Sequence, residues 1–82
     1  MKLLMFSIRD SAVGEFMRPF FARSKGEAMR MFQNDMKNSD SMVHSNPEHF
    51  SLWFVGEFNG ADGGVAGEVP ECLCKAVDLI EH

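Results

Sequence analysis

Two runs in this chain carry bulky apolar side chains on both faces of an extended strand, and this limits the possible folds sharply. From Lys2 to Asp10, Leu4, Phe6 and Ile8 alternate with Leu3, Met5, Ser7 and Arg9. From Ser51 to Phe58, Leu52, Phe54 and Phe58 lie on one face and Trp53 and Val55 on the other. A strand with one face in water alternates apolar with polar residues, so apolar loading on both faces marks a central strand. In 82 residues little chain is left to cover two such strands. The expectation is one α+β domain spanning 1–82, with a single core.

The covering elements follow from local chemistry. Ser11 to Gly14 reads as a turn and Glu15 to Ala22 as a second strand, in which Phe16, Arg18 and Phe20 alternate against Met17, Pro19 and Phe21. Pro19 cannot donate to a ladder, which puts this strand at an edge or beside a bulge. Ser24-Lys25-Gly26-Glu27 fits a capping box, with Ser24 accepting from the Glu27 amide and Glu27 reaching back to the Ser24 amide. The helix that follows runs to Lys37 or Asn38, and Ala28, Phe32 and Met36, joined by Met29, form its buried stripe. Asn38 to Pro47 reads as a loop. Asn59 to Gly64 reads as a flexible turn into a short fourth strand, Val65 to Val69. Pro70 suits the first turn of a second helix, whose core face would be Leu73, Ala76, Val77 and Ile80.

The predicted order is therefore ββαββα, an antiparallel sheet with two helices packed on one face. Phe32 and Leu52 should be deeply buried, with Leu73, Ala76 and Ile80 facing the same core. The other sheet face stays uncovered, and Leu3, Met5, Trp53 and Val55 are its apolar candidates. Such a patch, on a domain too small for a large core, predicts a homo-oligomer formed through that face or an adjacent edge strand.

Catalytic and metal chemistry find little footing. On a helix Cys72 and Cys74 would point about 200° apart at roughly 100° per residue, so they would not bridge each other. Their Cys-x-Cys spacing is not that of a structural zinc site, and His44, His49 and His82 are remote from it. Ser7 and Ser24 have strand and capping roles. The glycines at 60, 63 and 64 precede no helix and no Lys-Ser/Thr pair, so they are turn glycines and not a phosphate loop. No catalytic residue, metal or cofactor is expected. The first apolar run ends at Arg9 and Asp10, too short for a secretory signal, and no stretch is long enough to span a bilayer. Without a disulfide framework, a cytoplasmic location is expected.

Charge points elsewhere. The net charge is −4, yet residues 1–37 hold seven basic and four acidic residues, and residues 38–82 hold Lys75 against eight acids. Within the positive half, Arg18-Pro19-Phe20-Phe21-Ala22-Arg23-Ser24-Lys25-Gly26 interleaves cations with aromatic rings and runs into a helix N-terminus. Cations that meet phosphates beside rings that stack on bases are how single strands of nucleic acid are held. Alternation sends one of Phe20 and Phe21 to each face, so one ring fills the core and the other meets solvent, a dimer partner or a ligand. Arg18, Phe16, Phe20, Arg23, Lys25 and Arg30 are the candidate nucleic-acid-binding residues.

The same residues carry a family resemblance. An opening strand ends in Ile8-Arg9-Asp10-Ser11, and Arg18-Pro19-Phe20-Phe21-Ala22-Arg23-Ser24-Lys25-Gly26-Glu27-Ala28-Met29-Arg30-Met31-Phe32 follows. Then come Asn46-Pro47-Glu48-His49-Phe50-Ser51-Leu52-Trp53 and Gly56-Glu57-Phe58. This pattern resembles the small non-structural protein of the gokushoviruses, single-stranded DNA microviruses of bacteria. Where that family has a basic residue before the Pro-Glu-x-Phe pair, this chain has Ser45 and Asn46. The resemblance implies a bacteriophage protein made in the host bacterial cytoplasm and absent from the virion. It also implies a role in genome synthesis or in the switch to packaging. The expectation is a non-enzymatic protein that binds single-stranded DNA. The alternative is a protein-interaction module that binds a phage or host replication protein and never contacts DNA.

Overall fold

In the computed structural model, which describes residues 1–80, the chain forms an α+β fold on one antiparallel sheet. Strand β1 (Lys2–Asp10) pairs on one side with β4 (Phe50–Asn59), which pairs in turn with β5 (Val65–Lys75). On its other side β1 pairs with β2 (Glu15–Phe16) and β3 (Phe20–Ala22). The two strands with apolar residues on both faces are thus the two in the middle, as central pairing requires. Helix α1 (Lys25–Lys37) and a one-turn helix α2 (Met42–Ser45) separate the two halves of the sheet in the chain. Short 3₁₀ turns follow at Pro47–His49 and Ala76–Leu79.

Two hairpin turns share one design. Asp10 Oδ1 accepts the Ala12 amide at 2.9 Å, and Asn59 Oδ1 accepts the Ala61 amide at the same distance. In each turn the fifth residue, Gly14 or Gly63, donates its amide to the first residue's carbonyl at 2.9 or 2.8 Å. Both glycines have positive φ, 72° and 75°. The Asx side chain nucleates the turn, and the glycine takes the left-handed position closed to most residues.

One sheet face is closed by the helix layer. Phe6, Phe50 and Leu52 from the sheet meet Ala28 and Phe32 of α1, Val43 of α2 and Ala76 of the last turn, all buried. Phe32 and Leu52 are buried as the sequence predicts, and Leu73 packs against the same cluster. Ser24 caps α1, accepting the Glu27 amide at 3.1 Å. The reciprocal bond reaches one residue further back than expected: Glu27 accepts from the Arg23 amide at 3.5 Å instead of from Ser24.

The ββαββα order needs correction in three places. The strand expected over Glu15–Ala22 is two strands, because Arg18 and Pro19 leave the ladder between Phe16 and Phe20. The expected loop at 38–47 includes α2, capped by Ser41, whose hydroxyl accepts the Val43 amide at 3.1 Å. The helix expected from Pro70 does not form, since β5 continues through Lys75. Pro70 is compatible with either outcome, because the outermost strand asks no ladder bond of its nitrogen. Here it sits in an irregular stretch where Glu68, Val69 and Pro70 oppose Val55 alone. A second bulge pairs Trp53 with Cys72 and Leu52 with Cys74, leaving Leu73 as the extra residue. The cysteines therefore stand on a strand, with Cys74 packed on the core and Cys72 exposed. Ile80, expected in the core, is 39% exposed, and Leu79 packs there instead.

Candidate nucleic-acid interface

The sheet face turned away from α1 is the candidate interface, and register determines what it displays. Phe6 pairs with Phe54 and with Phe20, and all three belong to the core side. Strand alternation then sends Leu3, Met5, Ser7 and Arg9 of β1 to the opposite face. Their partners share that face: Phe58 opposite Leu3, Gly56 and Phe21 opposite Met5, Trp53 opposite Ser7, and Ser51 and Phe16 opposite Arg9. A bulge at Val55 allows Phe54 to face the core while Gly56 and Phe58 face away from it.

Four aromatic rings consequently share this face, in two pairs. Phe16 meets Trp53 edge-to-face, with centroids 5.6 Å apart. Phe21 meets Phe58 in the same manner at 5.8 Å. Edge-to-face contact is a preferred aromatic geometry, in which the ring that presents its edge keeps its face clear of its partner. Phe16 and Phe21 remain 43% and 44% exposed. The Arg9 guanidinium lies 6.0 Å from the Phe16 centroid, within cation–π range. Trp53 is held in place because its Nε1 donates to Ser51 Oγ at 2.8 Å. Ser7 is buried between the rows and donates its hydroxyl to the Met17 carbonyl at 2.6 Å, tying the β2 side to β1.

The six residues expected to bind nucleic acid do not form one surface. Phe16 is on the aromatic face. Phe20 faces the core, its ring 5.9 Å from that of Phe6, so the premise that Phe16, Arg18 and Phe20 alternate on one side fails at the break after Phe16. The expectation that Phe20 and Phe21 divide between the faces holds, with Phe21 as the exposed ring. Arg18 and Arg23 are exposed in the segments flanking β3. Lys25 belongs to the helix side, with its ammonium 3.2 Å from the Glu71 carboxylate and 5.0 Å from the Phe54 centroid. Arg30 is exposed on α1, in the layer opposite the aromatic face. Arg9, Phe21, Trp53 and Phe58 are not among the binding residues expected from the sequence. The loading of both strand faces does put Trp53, Leu3 and Met5 on the uncovered side, so the signal is present, read there as a self-association surface.

A family model for the phage ORF5 protein matches residues 3–79. The chain belongs to the phage ORF5 protein family. The matched range takes in Arg9 and all four rings of the aromatic face. No curated protein and no solved structure gives a significant match.

Elsewhere the chain has a groove of about 500 Å³ between α1, α2 and the last turn, whose lining includes Met36, Lys37, Val43, His44, Leu79 and Ile80. Among the described residues its lining holds no carboxylate and no thiol. Among the same residues no three His, Cys, Asp or Glu side chains cluster as metal ligands, and no helix is long and apolar enough to cross a membrane. Burial pushes the Cys74 thiol pKa above its usual value, and repulsion from Cys72 and Asp78 adds to the shift.

Proposed function

We propose that this member of the phage ORF5 protein family binds single-stranded DNA without catalysing a reaction on it. In this reading it is the counterpart of the gokushovirus non-structural protein, acting in the host cytoplasm during genome synthesis or the switch to packaging. One observation carries the reading: two edge-to-face aromatic pairs lie on the sheet face turned away from α1, with Arg9 over Phe16. Every base has a π-face, so such a surface holds a strand with little regard to sequence, at about 1–3 kcal/mol per stacked base. A duplex keeps its bases stacked inside, so this surface favours a single strand. Arg18 and Arg23 supply exposed cations at the ends of β3 for phosphates.

Trp53 is the only tryptophan, so the face reports on itself. Titration with single-stranded DNA should quench its fluorescence, and raising the salt should weaken the apparent affinity in proportion to the phosphates engaged. Unchanged emission at every DNA concentration sinks the proposal. The protein-module alternative draws support from β5, where Glu68 and Glu71 are exposed on the outermost strand. That reading predicts no Trp53 response to DNA and capture of a replication protein through the acidic edge.

A further inference from the structure

We infer that the aromatic face holds one strand of nucleic acid at two stacking stations about 13 Å apart, making about five nucleotides the unit one protomer binds. The inference rests on the proposed binding of a single strand, and adds to it a length and a division of labour. The first station is Phe16, in the row of Arg9, with Trp53 in the row of Ser7. The second is Phe21, in the row of Met5, with Phe58 in the row of Leu3. Each pair crosses β1 on the same diagonal. The second is therefore the first moved along β1 from Arg9 to Met5, and from Ser7 to Leu3. At about 3.3 Å per strand residue this displacement is about 13 Å. A stacked strand rises about 3.4 Å per nucleotide, so equivalent positions at the two stations are about four steps apart and a strand of about five nucleotides reaches both.

The floor between the stations suits a strand that is held without being read. Gly56 stands opposite Met5 and contributes no side chain. The Ser7 hydroxyl is already committed to the Met17 carbonyl. Met5 offers no strong donor or acceptor to a base edge. Arginines accompany both stations: Arg9 lies over Phe16, Arg18 follows Phe16 by two residues, and Arg23 follows Phe21 by two. A strand reaching both stations binds the second one intramolecularly, which can raise affinity by about 10²–10⁴-fold over a strand reaching one.

The test is Trp53 quenching by oligothymidylates, from a dinucleotide through a pentanucleotide to an octanucleotide. Affinity should climb on the order of 10²-fold across this series and level off soon after the pentanucleotide. Phe58→Leu should remove most of that climb, weakening the octanucleotide far more than the dinucleotide. Phe21→Leu is the second variant and should do the same. Equal weakening of dinucleotide and octanucleotide by both variants overturns the two-station arrangement, as does affinity that grows evenly with length and never levels off. In either case single-strand binding itself survives. Absence of quenching at every length overturns single-strand binding too. Trp53 emission that shifts with protein concentration but not with DNA does likewise, because a second copy then covers the face.

Discussion

At Gly56 the lack of a side chain decides how closely β5 approaches β4. A Cβ there would stand 2.5 Å from the Ala66 carbonyl oxygen and 2.9 Å from Met5 Cε. The methionine end can move, but the carbonyl is held in the β4–β5 ladder. Gly56→Ala should therefore destabilise the fold by about 1–3 kcal/mol, seen as a lower urea midpoint with an unchanged slope. Gly67→Ala is the control, since a Cβ there meets nothing within 4 Å, and its effect should stay within about 0.5 kcal/mol. The cysteines offer a second contrast. The raised pKa of Cys74 lowers its thiolate fraction at neutral pH, and the core covers part of it. Cys72 is exposed. Alkylation followed by mass spectrometry should label Cys72 first, and raising the pH should narrow the gap.

Helix α1 is the element whose making is easiest to trace. Ser24 fixes its start, Ala28 and Phe32 anchor its buried face, and the Met36 carbonyl near its end receives His44 Nδ1 at 2.7 Å. Ser24→Ala should cost about 1 kcal/mol through the missing cap. Phe32→Ala should cost about 3–5 kcal/mol, a large part of the roughly 5–15 kcal/mol that holds a small domain together. Thermal melts should show a small drop in midpoint for the first variant and a much larger one for the second. Capping and periodicity are local, which is why this helix is legible in the sequence. The C-terminal strand is not. Pro70, Leu73, Ala76 and Ile80 satisfy a helical pattern as well as any, and only pairing along β4 makes residues 65–75 a strand.

At the scale of the whole molecule, α1 closes one sheet face and the other displays four rings. Neutralising Arg18 and Arg23 together should weaken DNA binding across all sequences. It should also flatten the log–log dependence of affinity on salt by about one in slope for each arginine that meets a phosphate. Phe16→Leu should weaken binding by about 1–3 kcal/mol and leave the salt slope unchanged, because stacking releases no counterions. Paired titrations at low and high salt separate the two effects. Of the two surfaces expected to carry self-association, the uncovered face and an adjacent edge strand, the edge strand is proposed to carry it, which leaves this face free. Sedimentation at rising concentration should then show association while Trp53 emission stays constant.

The sequence by itself determined the central strands, the capped helix and the core residues Phe32 and Leu52, because alternation, helical spacing and capping act over a few residues. It also showed that one sheet face would stay apolar and uncovered. Which rings occupy that face was a tertiary matter. The break at Arg18-Pro19 turned Phe20 inward and Phe21 outward, and the bulge at Val55 moved Phe58 to the side of Trp53. Each is a shift of register, and with a side-chain period of two a single extra residue reverses every face beyond it. Lys25 was withdrawn in the same way, since its partner Glu71 lies on a strand that exists only through long-range pairing.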